Sequence, residues 1–138
     1  MLLKTRDQKI VDFVRDFPDA VLTGSRYFGV ARPNSDWDFM LPADDEYRLP
    51  LDFVRKKEPK YTEHDPLIAG VYESYQSNIH VQIVLDMPLK IRAQEIARLH
   101  VGALNCVPKE EQAYLWKAVV CALQYARPIE IQVPDNIG

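Results

Sequence analysis

The sequence predicts an α+β domain: a small mixed β-sheet with helices packed on one face, plus further helices at the C-terminal end. Three observations predict it. Apolar residues recur at helical spacing in the first segment and in two long C-terminal ones. Between them lie short runs that alternate or are continuously apolar, as strands do. The order helix, strand, strand, helix, two strands, two helices interleaves both kinds of element around one core. The 138 residues suit a single domain over 1–138, with a core at about 5–105 and a C-terminal helix and tail over 108–138.

Each element has its own signal. Ile10, Val11, Phe13, Val14 and Phe17 give residues 5–17 a helical stripe, and Pro18 stops it. Residues 20–25, AVLTGS, read as a strand ending in a Gly-Ser turn, and residues 26–34 as a loop broken by Gly29 and Pro33. In DWDFML, 36–41, Asp36, Asp38 and Met40 fall on one face, and Trp37, Phe39 and Leu41 on the core face. Residues 43–57 read as helical with a break at Pro50, and 59–66 as a loop containing His64. Residues 67–76 and 78–86 read as two strands joined by a tight Ser77-Asn78 hairpin. Residues 89–105 and 108–126 read as helices, the second opened by Pro108 with Glu110 and Glu111 in its first turn. The tail with Pro128 and Pro134 is irregular or an edge strand.

Composition narrows the function classes. With 17 basic and 20 acidic residues, the net charge of −3 argues against an extended nucleic-acid interface. Cys106 and Cys121 lack metal-site spacing and are expected to be buried apolar residues. Charges interrupt the N-terminal MLLKTRDQKI, so it is no signal peptide, and no run approaches a membrane span. The expected location is cytoplasmic.

The chemistry concentrates in GSRYFGVARPNSDWDF, residues 24–39. Asp36 and Asp38 share a strand face about 7 Å apart, where like charges repel unless a cation offsets them. Carboxylates and phosphate oxygens are the hard ligands of Mg²⁺. Gly24 admits close backbone approach, Ser25 can hydrogen-bond a phosphate, and Arg26 and Arg32 can neutralise one. The competing explanation is a pair of solvated aspartates beside a turn.

This stretch resembles the signature of the DNA polymerase β-type nucleotidyltransferase superfamily: Gly24-Ser25, nine residues, then Ser35-Asp36-Trp37-Asp38. The run Ala31-Arg32-Pro33-Asn34-Ser35-Asp36 is most similar to the small minimal nucleotidyltransferases, which include antitoxin members of toxin–antitoxin pairs. The resemblance implies a nucleotidyltransferase fold. It implies Asp36 and Asp38 as metal ligands and catalytic groups, and Gly24, Ser25, Arg26, Arg32 and Ser35 around the phosphates. It also implies Mg²⁺ or Mn²⁺ with ATP or another nucleoside triphosphate.

The pattern breaks at its third carboxylate. In Ile79-His80-Val81-Gln82-Ile83-Val84 the matching position is Gln82, whose amide carries no charge and takes no proton. A two-residue hairpin loop at Ser77-Asn78 would put Glu73 directly across from Gln82, where it can supply the missing charge; otherwise Glu73 is an exposed strand residue. His80 on the same face is either a phosphate contact or base, or a solvated histidine. Tyr27 and Phe28 either stack on a base or pack.

Two functions remain. One is transfer of a nucleotidyl group to a hydroxyl on a protein, RNA or small molecule. The other is a catalytically impaired nucleotidyltransferase-like module that binds a partner, antitoxin-like or host-directed. The apolar C-terminal helix, with Tyr114, Leu115, Trp116, Val119, Val120 and Leu123, is either core or the surface for such a protein or a second copy of the chain.

Overall fold

The computed structural model describes residues 5–56, 67–100, 106–108, 111 and 118. Helix α1, Arg6–Asp16, begins where the Thr5 hydroxyl accepts the Gln8 N–H at 3.2 Å. Strand β1, Val21–Thr23, follows, then a short helix α2, Gly24–Phe28, then β2, Trp37–Pro42. A 3₁₀ segment, Ala43–Arg48, leads to β3, Phe53–Lys56. Strands β4, Ile68–Ser74, and β5, Ile79–Val84, form a hairpin, and helix α3 spans Met87–Arg98.

The five strands order as β1-β2-β5-β4-β3. The central pair β2 and β5 is parallel, and every other pair is antiparallel. The domain is therefore α+β with a mixed sheet, as the interleaved pattern predicts, but its helices lie on both faces rather than one: α1 packs on the face of Phe39 and Leu41, and α3 on the face of Met40.

Alternation along β2 and β5 sends successive side chains to opposite faces. Phe39, Leu41, Ile79, Val81 and Ile83 meet Ile10 and Phe13 of α1 and the following Phe17 in one buried cluster. The Phe13 and Phe39 rings lie 5.1 Å apart. On the other face Met40 and Val84 meet Leu67 and, from α3, Leu89 and Ala93. Burial of each such large side chain is worth about 1.5–3 kcal/mol. Asp86 caps α3, its carboxylate accepting the Leu89 N–H at 3.1 Å, and Pro88 lies in the first turn. The buried Gln94 side chain donates to the Leu22 carbonyl at 3.1 Å, so α3 reaches as far as the edge strand β1.

Several expectations change. Residues 24–28 are helical rather than strand end and loop. Beyond Pro50, Phe53–Lys56 is a strand rather than helix, because it gains an antiparallel partner in β4. The β4–β5 loop is Tyr75–Asn78, not a two-residue turn. The Ser74 hydroxyl accepts the N–H groups of Gln76 and Ser77 at 3.2 and 3.1 Å, which closes a longer turn. Cys106 is exposed, since it follows the end of α3 instead of lying on a packed face. The expectations for His64, Cys121, most of the second C-terminal helix and the tail lie outside the described residues.

Candidate functional site

The site begins where β1 hands over to α2. Gly24 has a left-handed φ of +71°, and a Cβ there would run into the Asp38 carboxylate, its Cγ 2.9 Å away. Only glycine permits this approach. The two halves of the 24–39 motif are thus in van der Waals contact across the β1–β2 pair, where Thr23 is opposite Asp38.

The intervening loop is held by its own polar groups. The Ser35 hydroxyl accepts the Arg32 N–H at 2.8 Å, while the Ser35 N–H donates to the Arg32 carbonyl at 3.0 Å. The Arg26 guanidinium donates to the carbonyl oxygens of Ser35 and Pro33 at 2.7 and 3.4 Å, and lies 4.3 Å from the Trp37 ring centre. Arg26 thus braces the loop through its Nη2. The Arg32 side chain is exposed at the rim, and Ser25 follows Gly24 in the first turn of α2. Tyr27 and Phe28 pack edge to face at 5.0 Å, with the Arg98 guanidinium 5.1 Å from the Tyr27 ring.

The parallel register sets the third position. Asp38 pairs with His80, and Met40 with Gln82. Gln82 is thus one step further along the face, toward α3, and the side chain beside Asp38 is an imidazole. The longer hairpin also moves Glu73: it lies opposite His80, and Val71 lies opposite Gln82. The shift is by two residues, so Glu73 keeps its face while changing its neighbour.

His80 becomes the centre of the cluster. Its Nε2 is 3.5 Å from Asp36 Oδ2 and 3.4 Å from Glu73 Oε1, and its Nδ1 is 3.6 Å from Asp38 Oδ1. Glu73 also forms an ion pair with Lys56 through Oε2. The Lys56 ammonium holds the Glu73 carboxyl below its ordinary range; burial opposes this and His80 reinforces it.

Carboxylates at Asp36, Asp38 and Glu73 are the donor chemistry a divalent cation takes. Among the described residues, no group of three or more His, Cys, Asp or Glu side chains stands assembled to hold a metal ion. Compared with known protein families, curated proteins and solved structures, the chain matches none.

Sequence reasoning placed Asp36, Asp38, His80, Gln82 and Glu73 on one face but missed the central place of His80. Alternation reveals a face, whereas the β2–β5 register is a long-range fact. Lys56 was missed because its segment read as helix.

Proposed function

We propose that this chain is nucleotidyltransferase-like: it binds a nucleoside triphosphate with a divalent cation and transfers a nucleotidyl group to a hydroxyl on a protein, RNA or small molecule. The observation that carries this reading is Gly24 packed against Asp38, which joins a Gly-Ser turn to a pair of carboxylates at the open end of a sheet. Asp36 and Asp38 would hold Mg²⁺ or Mn²⁺. Such a cation neutralises the phosphate chain and makes an attacking hydroxyl more acidic. Gly24 and Ser25 line the approach for phosphate oxygens. Ser35 and Arg26 fix the loop that positions Asp36, and the exposed Arg32 is the cation available at the rim.

A second reading is a catalytically impaired binding or regulatory module, antitoxin-like or directed at a host partner. It is favoured by a specific observation: neither residue at the third position, His80 or Gln82, is a carboxylate, and the nearest one, Glu73, is already paired with Lys56. Incubation with labelled ATP, GTP, CTP and UTP, Mg²⁺ or Mn²⁺ and a cell extract separates the two. The transfer reading expects label on an acceptor, lost in Asp36→Asn and Asp38→Asn. Nucleotide binding with no transfer selects the module.

A further inference from the structure

Asp36 is one of the two carboxylates assigned to the cation, yet it lies outside any regular element. Strand β2 begins at Trp37, and residues 29–36 form neither helix nor strand. A binding group works only when its neighbours hold it to within about 0.5 Å. Something must therefore fix the backbone around Asp36.

Asn78 meets the chain on both sides of that carboxylate. Just after it, the Trp37 N–H donates to the Asn78 carbonyl at 2.8 Å. Just before it, the Asn78 side-chain amide donates to the carbonyl oxygens of Asn34 and Ser35 at 3.4 and 3.5 Å. The Ser35 carbonyl also accepts Arg26 Nη2 at 2.7 Å, and a carbonyl oxygen has two lone pairs for two such donors. Between these contacts Asp36 reaches the same imidazole as Asp38, the two carboxylates lying 3.5 and 3.6 Å from the His80 ring nitrogens.

An asparagine at the end of a hairpin loop has two ordinary explanations. It tolerates a left-handed backbone, or its side chain folds onto its own turn. Neither applies. No described residue other than glycine has a positive φ. The turn is closed by the Ser74 hydroxyl, and Lys9 of α1 pins it by donating to the Gln76 carbonyl at 2.6 Å. The Asn78 amide instead reaches carbonyls 43 and 44 residues away in the chain.

We propose that Asn78 is the positioning residue for Asp36: by holding residues 34, 35 and 37 at once, it fixes the Asp36 carboxylate on the face of Asp38. Its effect on binding rests on the cation part of the proposed function, whereas its hold on the backbone rests on the contacts alone.

The test joins a cation titration to backbone dynamics in the full chain. Asn78→Leu keeps the size and the backbone carbonyl and removes the amide donors; Asn78→Ala does the same work where the leucine variant fails to fold. Lys9→Met removes a contact of the same hairpin that does not bear on Asp36. Calorimetry should show Mn²⁺ binding about tenfold weaker in Asn78→Leu, the low end of the loss expected on removing an outer-shell partner. Lys9→Met should change it by less than about twofold, as a group outside that shell does. NMR order parameters of amides 34–37 should fall in Asn78→Leu and match wild type in Lys9→Met. Unchanged order parameters in the Asn78 variants would overturn the proposal. So would Mn²⁺ bound with wild-type affinity by those variants, or an equal loss of affinity in Lys9→Met, which would mean general softening of the hairpin. A wild type that binds no Mn²⁺, with order lost in Asn78→Leu, removes the cation reading and supports the positioning role.

Discussion

Asp38 and Met40 are two residues apart on β2 and face the same way, yet they occupy different media. Met40 is fully buried under α3, with Val84, Leu89 and Ala93 around it. Asp38 retains 26% of its side-chain exposure and meets Gly24 and His80. One helix makes the difference: it covers one end of the face and leaves the other to polar groups. The covered end provides stability. The open end gathers three carboxylates and an imidazole, an arrangement that burial alone would penalise. Stability and chemistry are thus divided along a single strand.

The largest effect should come from the covered end. Met40→Ala is expected to cost about 2–5 kcal/mol through lost burial and the cavity left behind, read as a lower urea midpoint. It should leave cation affinity nearly unchanged, because no donor moves. A large loss of affinity with little loss of stability would reverse the division.

Arg26→Ala attacks the boundary. Two carbonyl contacts and the Trp37 stack go with the guanidinium, whose buried Nε has no hydrogen-bond partner among the described residues. The expected cost is about 1.5–3 kcal/mol, with increased protease cutting in residues 30–36. Gly24→Ala should cost about 1–3 kcal/mol, from the left-handed backbone and from displacing Asp38. Unlike Met40→Ala, it should also weaken ATP binding.

The smallest effect belongs to Lys56. Glu73 has a lowered carboxyl pKa in the folded state, so its pairing stabilises above the ordinary carboxylate value and is lost as pH falls through the folded value. Lys56→Met should therefore narrow the melting-temperature difference between pH 7 and pH 3. The change should be only a few tenths of a kcal/mol, because Lys56 and Glu73 retain 39% and 37% side-chain exposure.

Much of this division is legible in the sequence. The stripe of Ile10, Phe13 and Phe17 gives α1, and the alternation in 36–41 separates Phe39 and Leu41 from Asp38 and Met40. The same alternation puts His80 and Gln82 on one face. What it cannot give is which of them stands beside Asp38, since that depends on two strands pairing across about forty residues of chain. Glu73 shows the same limit on a shorter scale. Its face follows from parity, but its partner depends on whether the Ser74 hydroxyl closes a four-residue loop. The strand at Phe53–Lys56 was hidden by flanking helix formers and revealed by pairing with β4, a tertiary preference over a local one.

The central claim is that the open end of this face, and not the protein surface at large, holds a cation with a nucleotide. Calorimetric titration of ATP with Mg²⁺ or Mn²⁺ tests it most directly, using wild type and the Asp36→Asn, Asp38→Asn double variant. The account predicts saturable one-to-one, cation-dependent binding that the double variant loses while melting no earlier. Equal binding by both proteins would contradict it.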